Sequence, residues 1–421
     1  MHRFASVFAI LFVAAVSAQT PKDVRQVAKQ GPTAIPTVAQ YLNSSAVDTR
    51  VEVVKQLVAL GGRETIDPLI RATHDSDAEV QIRATDALVN FYLPGYVKQG
   101  IGSSLVRAGD SVRAHFSDYN DQTIDGFVIV RPEVIAALGA LARGAASYDV
   151  RANACRAVGI LRGGEAVPDL IDALRTKDNR IMFEALVAMQ KIRDPQAGPR
   201  VAYLVRDLDD KVQSAAIETV GVLRAKDALP ALRDIVKKPR NAKAERSALA
   251  AIALMPEPQD RPLFTTYLGS KDDKLRGSAA EGLGRIGDPA DRAALQETWK
   301  SEEKMLPRLG AAFGLVLDGD LALGEDAPLR YLINTLNSAS YKDFAVAYLT
   351  EAARKPAVRD TLYQPIEQGT RDEKIQLAKI LSASGDEKSI PYLEKVSRDP
   401  DADVAQEGLR ALRSLRARLK V

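Results

Sequence analysis

The sequence predicts an all-α protein, a right-handed α-solenoid of about ten helical hairpins with one insertion. Helix-capping residues recur about every 31 residues, and prolines that suit a helix start follow them at intervals of 20 or 21 residues. The composition is 46% hydrophobic but only 5% aromatic, which favours close packing of helices through small aliphatic side chains. Stacked units of this length share one continuous core, so the 421 residues need not form separate globular domains.

The first helix of each hairpin, helix A, is predicted to begin at a capping residue placed three positions before an apolar residue. Side chains of Asp, Ser and Asn accept hydrogen bonds from the free N–H groups of a first helical turn. From Ser147 onward these residues are spaced by 31, 31, 32 and 31 positions. The predicted caps are Asp48, Asp77, Ser147, Asp178, Asp209, Asn241, Asp272 and Asp401.

The second helix of each hairpin, helix B, is predicted to begin at a proline, whose missing N–H would have no partner in a first turn. These prolines are Pro36, Pro68, Pro168, Pro199, Pro230, Pro262 and Pro391. Helix A carries glycine at one register, at Gly159, Gly221 and Gly284. A glycine inside a helix costs ~1 kcal/mol, so its recurrence predicts close approach of neighbouring helices.

Residues 209–216, followed by Gly221 and by 228–232, resemble a HEAT repeat of the short type named after phycobilisome lyases. The resemblance is strongest over 147–300 and weakens over 301–371, where two diverged units are placed by length. It implies a helical scaffold, although a few members of that family are enzymes that act on bilins or on a modified lysine. A lyase-like or oxidoreductase-like cofactor-binding enzyme therefore stays open as an alternative.

Reactive residues are scarce, with three histidines and one cysteine in the chain. A single cysteine excludes an intramolecular disulfide and a cysteine-based zinc site. Cys155 is predicted in the core of a helix A, His74 half-buried at a helix end, and His115 on the surface. The hydroxylases of the resembling family hold two irons with His-Glu pairs, and no His-Glu dipeptide occurs here. We therefore predict no catalytic, metal-binding or cofactor-binding residue and favour a non-catalytic function.

The N-terminal residues 1–18 predict a secretory signal peptide. Arg3 precedes the apolar residues 4–16, which are too few to cross a hydrocarbon core of ~30 Å as a helix. Small residues then lead to a cleavage site near Ala18. We expect an exported protein, periplasmic or secreted, whose repeats occupy 19–421; a buried N-terminal helix is the alternative.

An insertion is predicted over 94–131, in the turn between helices A and B of the second full repeat. The distance from Asp77 to Pro132 is 55 residues, against 20 or 21 elsewhere. The insertion either binds a partner or a membrane surface, or packs on the solenoid as a structural loop. Its acidic residues 118–125 lack the ligand pattern of a calcium-binding EF-hand loop.

Two parts of the insertion have a predicted structure. Residues 96–116 predict an interrupted amphipathic helix, and Lys98, Arg107 and Arg113 are its basic residues. Residues 127–130 predict a short β-like run.

The basic side chains of helix B predict a partner-binding groove, because helix B usually lines the concave face of such solenoids. An acidic peptide or a protein is the expected partner, with an anionic glycan or membrane surface as alternatives. The net charge of +3 is too small to indicate nucleic acid. An ordinary solvated surface is the other interpretation. The candidate binding residues are Arg175, Arg200, Tyr203, Arg206, Arg233 and Lys237, with Lys98, Arg107 and Arg113 of the insertion.

The basic C-terminus, residues 410–420, complements a helix dipole as an end cap or contacts an anionic surface. The sequence as a whole predicts an exported, non-catalytic scaffold that binds a protein through its concave face. Attachment to the envelope or to a membrane through the insertion and the basic C-terminus is a further alternative.

Overall fold

The computed structural model describes residues 20–97 and 122–421, and every regular element in them is a helix. The chain divides into two compact units, Met1–Gly100 and Ile101–Val421. The predicted β-like run at 127–130 is wrong, because the backbone turns there and Val128 N donates to Asp125 O at 3.0 Å. The predicted signal peptide lies outside the described residues, and so does most of the predicted amphipathic helix.

The first unit contains two hairpins and one further A helix. Its helices are α1 (Pro21–Ala28), α2 (Ile35–Gln40), α3 (Val47–Leu60), α4 (Ile66–Thr73) and α5 (Ala78–Tyr92). The predicted cap Asp48 is wrong: α3 begins at Val47, so Asp48 lies in the first turn and Ala46 is the N-cap.

The second unit begins with one B-type helix, continues with eight hairpins in residues 145–401, and ends with one long helix. Its helices are α6 (Pro132–Gly144), α7 (Tyr148–Ile160), α8 (Val167–Ala173), α9 (Asn179–Ile192), α10 (Gly198–Val201), α11 (Asp210–Val222), α12 (Leu229–Lys237), α13 (Ala242–Leu254), α14 (Arg261–Tyr267), α15 (Asp273–Ile286), α16 (Arg292–Ser301), α17 (Met305–Leu317), α18 (Pro328–Thr335), α19 (Lys342–Ala352), α20 (Pro356–Thr361), α21 (Tyr363–Gln368), α22 (Arg371–Ser384), α23 (Ile390–Val396) and α24 (Ala402–Leu419). The two diverged units expected between 301 and 371 are the hairpins that begin at α17 and α19.

The predicted caps begin most of the A helices of the second unit. Asp209 is typical, since its carboxylate accepts from Lys211 N at 2.9 Å and from Val212 N at 3.0 Å. Ser147 occupies the N-cap position of α7, but its side chain accepts no hydrogen bond from that helix. The side chains that cap as predicted are Asp77, Asp178, Asp209, Asn241, Asp272 and Asp401.

Neighbouring A helices pack backbone against backbone at the predicted glycines. A Cβ atom added to Gly284 in α15 would overlap Gly314 Cα in α17, and one added to Gly159 in α7 would lie 2.7 Å from Ala188 Cα in α9. Successive A helices of the second unit therefore pack into a continuous layer. The side chains of this layer that point away from the B helices form one surface of the unit.

Ion pairs join one repeat to the next along the chain. Their partners are 25 to 28 residues apart, so each pair spans one repeat boundary. These inter-repeat ion pairs include Arg50–Asp75, Arg156–Glu184, Arg233–Asp260, Arg276–Glu302 and Lys374–Asp399.

Candidate binding cavity

A cavity of about 770 Å³ opens on the side of the second unit that its A helices form. Its walls come from α9, α11 and the start of α13, with Thr123 and Ala383 contributing from elsewhere in the unit. We call it the A-face cavity. No B helix contributes to its lining, so the groove predicted along helix B is a different surface and stays a prediction.

The A-face cavity is strongly cationic. Five basic side chains line it, namely Arg162, Lys191, Arg193, Lys211 and Lys243. Glu218 is the one carboxylate among its lining residues, and Phe183, Val187, Ile192 and Val222 supply apolar wall. Such a mixture of charge and apolar surface suits an organic anion or an acidic peptide better than a neutral ligand.

Two of these cations occupy an unusual backbone conformation. Arg162 follows α7 with φ 50° and Arg193 follows α9 with φ 60°, both in the left-handed region. Arg224 follows α11 in the same way with φ 52°, whereas the equivalent place after α15 holds Gly287 with φ 69°. A left-handed backbone costs a non-glycine residue roughly 1–2 kcal/mol. Three consecutive repeats thus carry arginine where glycine would fit at lower cost.

Arg162 and Arg193 make no ion pair within residues 20–97 and 122–421. Arg162 Nη2 instead donates to the Thr123 hydroxyl at 3.3 Å. Burial lowers the pKa of Arg162, and the nearby positive charge of Arg193 lowers it further. Arg224, by contrast, pairs with Glu351 at 3.0 Å. The two cavity arginines therefore carry positive charge that no ion pair within the described residues neutralises, although Asp125 lies close enough to Arg162 to offset part of it.

Residues 122–125, the end of the predicted insertion, lie against the rim of the A-face cavity. Gln122 O accepts from Lys191 Nζ at 3.3 Å, and Ile124 N donates to Ile160 O at 3.0 Å. Asp125 pairs with Arg410 of α24 at 2.6 Å. These contacts favour the structural-loop interpretation for this part of the insertion, whose residues 98–121 lie outside the described residues.

The basic C-terminal helix is also held by contacts within the chain. Arg416 pairs with Glu394 at 2.6 Å, and Arg418 Nε donates to Ser382 O at 3.2 Å. Together with the Arg410–Asp125 pair, these contacts favour an end cap over a surface that binds an anionic membrane.

The residues predicted from helix B form a separate surface, which we call the B surface: Arg175, Arg200, Tyr203, Arg206, Arg233 and Lys237. None of them lines the A-face cavity.

Three of the basic residues of the B surface already have acidic neighbours. Arg175 lies 3.3 Å from Asp172, and Arg206 lies 2.7 Å from Asp234. Arg233 binds both Glu257 and Asp260 at 2.7 Å, so it is a structural residue of a repeat boundary.

The other members of the B surface are exposed, and the Tyr203 side chain is 60% exposed, as expected. Lys98, Arg107 and Arg113 lie outside the described residues.

A second charged cluster is fully satisfied by its own members. The Arg285 side chain is 7% exposed and bonds to Glu281 and to both carboxylate oxygens of Glu351. Tyr348 donates to Glu281 at 2.9 Å and stacks on Phe313 at 4.5 Å. Burial alone would raise the pKa of Glu351, but Arg285 and Arg224 outweigh it and hold that pKa below its usual value. The cluster is structural because no member is left to bind a ligand.

The isolated reactive residues have structural surroundings. Cys155 is completely buried, as predicted, and burial raises the pKa of its thiol to about 12. His74 Nδ1 lies 3.0 Å from Ile70 O at the end of α4, but the ring is exposed rather than half-buried. Among the described residues, no group of three or more His, Cys, Asp or Glu could hold a metal ion. In that same part of the chain, every helix is too short or too polar to span a bilayer.

The sequence analysis missed the cationic residues of the A-face cavity. Arg162, Arg193 and Arg224 recur every 31 residues within two residues of the end of helix A, at the position where Gly287 stands in a later repeat. This recurrence is present in the sequence and indicates a regularly spaced basic residue near the ends of the A helices.

Comparison with known proteins agrees with this architecture. Residues 135–219 and 229–315 match the family model of HEAT repeats. The phycocyanobilin lyase subunit alpha of Nostoc sp. (strain PCC 7120) is 30% identical over 155 residues, which cover 33% of this chain and 55% of that protein. The chain thus spans about half the length of the curated relative that it matches.

Two solved structures are also similar to this chain. One is the complex of CpcE and CpcF of phycocyanin lyase from Nostoc sp. PCC7120, with 21% identity and a TM-score of 0.36, covering 63% of this chain and 92% of the other. Importin beta has 13% identity and a TM-score of 0.39 and covers 94% and 65%, respectively. The family match, taken with the stacked helical hairpins, shows that residues 135–219 and 229–315 are HEAT repeats.

Proposed function

We propose that this chain is an exported, non-catalytic HEAT-repeat scaffold that binds a protein partner in the A-face cavity. The observation that carries the proposal is the concentration of five basic side chains and one carboxylate around a space of about 770 Å³. This volume lies in the range of ~300–1,000 Å³ that is typical of ligand sites.

The electrostatics favour the A-face cavity over the B surface. An acidic partner that binds Arg206 or Arg233 must displace Asp234 or Asp260, which already neutralise those arginines. For the exposed pair of Arg206 and Asp234 this exchange costs ~0.2–1 kcal/mol, whereas for Arg233 it breaks a pair with the buried Asp260, a loss of ~3–5 kcal/mol. Arg162, Arg193 and Lys243 require no such exchange, since within the described chain they form no ion pair.

Site-specific photo-crosslinking tests the location of the site. A photoreactive amino acid at Ser214 places the probe in the A-face cavity, and the same residue at Lys237 places it on the B surface. We expect a protein from the native source to crosslink through position 214 and not through 237. Crosslinking through 237 alone would move the site to the B surface, and crosslinking at neither position would contradict a protein-binding role for both surfaces.

Export is supported by the pattern of residues 1–18 alone. We expect N-terminal sequencing of the native protein to begin at Gln19, directly after Ala18. Native protein that retains Met1 and fractionates with cytosolic markers would contradict export.

The similarity to a phycocyanobilin lyase subunit alpha favours a second candidate, a lyase-like function in which the A-face cavity receives a bilin. In that case phycocyanobilin should change its absorbance spectrum when mixed with the purified chain, and Lys211→Glu should abolish the change. An unchanged spectrum with the unaltered chain would favour the scaffold.

A further inference from the structure

We propose that Arg162 and Arg193 form a two-point receptor for the carboxylates of an extended acidic peptide. The inference rests on the proposed function and names the chemistry of the partner. Packed helices lie ~8–10 Å apart, so equivalent residues of adjacent repeats are separated by about that distance. A peptide in the extended polyproline II conformation rises ~3.1 Å per residue and has three residues per turn, so two acidic side chains three residues apart lie ~9 Å apart on one side and would match the two arginines.

The backbone makes the two arginines equivalent. Each lies within two residues of the end of an A helix, α7 or α9, with a φ of 50° or 60°. Their spacing of 31 residues is the repeat length. The distance between neighbouring repeats therefore sets the distance between the Cα atoms of the two arginines. A ligand with regularly spaced anions would meet the same group in each repeat.

Their charge is not used by the fold. Arg206 and Arg240, also exposed, pair with Asp234 and Asp210 across repeat boundaries. Arg162 and Arg193 form no such ion pair within the described residues, and the positive charge of Arg193 opposes that of Arg162 more than the nearby Asp125 carboxylate supports it. A bound carboxylate would relieve that repulsion, because an opposite charge stabilises the ionised arginine.

The chain's own residues 122–123 show how a peptide can be received at this place. A backbone oxygen of Gln122 accepts from Lys191, and the hydroxyl of Thr123 accepts from Arg162. Val187 and Ile192 offer apolar wall beside the cations, which the side chains of a peptide can cover. Nucleic acid carries a phosphate on every nucleotide and binds mainly through many phosphate contacts along its length, so five basic side chains confined to one cavity suit it less well than a short peptide.

Fluorescence anisotropy with the purified full-length chain tests the receptor. The probes are two labelled peptides of identical composition, with two glutamates three positions apart in one and adjacent in the other. The variants are Arg162→Gly and Arg193→Gly, because glycine removes the guanidinium and fits the left-handed backbone. A loss of binding in these variants therefore cannot come from backbone strain. The control variant is Arg175→Gln, which removes a positive charge from the B surface. Glutamine is used because Arg175 does not have a left-handed backbone, so a glycine there would also loosen the chain.

We expect each glycine variant to weaken binding of the spaced peptide about tenfold, the scale of one hydrogen bond to a charged group. Arg175→Gln should change the affinity by less than about twofold, as for an exposed charge. The spaced peptide should bind more tightly than the adjacent one. Equal affinities for the two peptides, or an equal loss in Arg175→Gln, would overturn the receptor in favour of non-specific attraction.

Three further outcomes are decisive. A single-stranded oligonucleotide that binds more tightly than the spaced peptide, and loses affinity in Arg193→Gly, would overturn a peptide as the ligand class. A partner that crosslinks through position 214 while the glycine variants bind the peptide normally would overturn the receptor and leave the proposed function standing. Peptide binding that depends on both arginines, without any crosslinked protein, would support the receptor and contradict the proposed function.

Discussion

Arg285 and Glu351 are joined by two hydrogen bonds of 3.0 and 2.9 Å, although 66 residues of sequence separate them. The hairpin of α17 and α18 lies between them in the chain. In a simple repeat array each unit contacts only its neighbours, so its stability is a sum of nearest-neighbour terms. The Arg285–Glu351 pair adds a contact between repeats that are not adjacent, and Arg224 reaches Glu351 from still earlier in the chain.

Replacing Glu351 with glutamine tests that link. Glu351→Gln keeps the shape of the side chain but leaves Arg285 with Glu281 as its remaining carboxylate partner. We expect the free energy of unfolding in urea to fall by ~2–3 kcal/mol, somewhat less than for a buried charge that loses every partner. The matched control is Glu367→Gln, which removes an exposed pair with Lys395 and should cost less than ~1 kcal/mol. Equal losses in the two variants would show that the link is not stabilising.

The ion pair of Arg276 and Glu302 predicts a pH dependence of stability. The hydrogen bond from Arg276 lowers the pKa of Glu302 below its usual value of 4.5. A depressed carboxylate pKa stabilises the fold at pH values above the unfolded pKa, and this contribution is lost as the pH falls through the folded pKa. Glu302→Gln should therefore lose less stability than the unaltered chain when urea unfolding is compared at about pH 7 and about pH 3. Parallel losses in the two proteins would exclude Glu302 as a source of the acid sensitivity.

Gly284 allows α15 and α17 to pack with their backbones in contact. In Gly284→Ala the new methyl group would overlap Gly314 Cα, so we expect a loss of ~1–3 kcal/mol in the free energy of unfolding. Gly144 lies at the end of α6 with no atom near its missing Cβ. Gly144→Ala should accordingly be neutral or stabilise by up to ~1 kcal/mol. A neutral effect at both positions would mean that α15 and α17 can separate without cost.

Cys155 provides a probe of global opening. Its thiol is completely buried, and burial raises its pKa to about 12, so almost no thiolate exists near neutral pH. We expect a thiol-reactive disulfide reagent to label the native chain very slowly and to label it at once in denaturing urea. Fast labelling under native conditions would show that α7 opens locally without unfolding of the array.

The fold was predictable because its signals are local and repeated. A cap such as Asp209 and a proline such as Pro230 act within one helical turn, and their recurrence identifies the hairpin without any knowledge of tertiary contacts. Asp48 shows the limit, since a helix that begins one residue earlier than the pattern suggests turns a predicted cap into a first-turn residue.

The A-face cavity was harder to predict because its walls come from several A helices and from Thr123 and Ala383, which the pattern of a single repeat does not bring together. The B-surface residues Arg206 and Arg233 appear free in the sequence, and their partners Asp234 and Asp260 become evident only when successive repeats are stacked. Thr123 reaches the rim of the cavity through contacts with α7, which no repeat pattern encodes. The local signal that the sequence does contain is the recurrence of Arg162, Arg193 and Arg224, whose backbones are left-handed.

The inter-repeat ion pairs have a consequence for how freely the number of repeats can change. Each hairpin presents an apolar layer to its neighbours, so removal of one hairpin would bring two other apolar layers together. The charges would not match, because Arg276 would lose Glu302 and meet whichever side chain occupies that place in the following hairpin. Each boundary thus has ion pairs that are specific to the two hairpins it joins. Deletion or duplication of a single hairpin would leave some of these charges without a partner and would destabilise the array even where the apolar packing is kept.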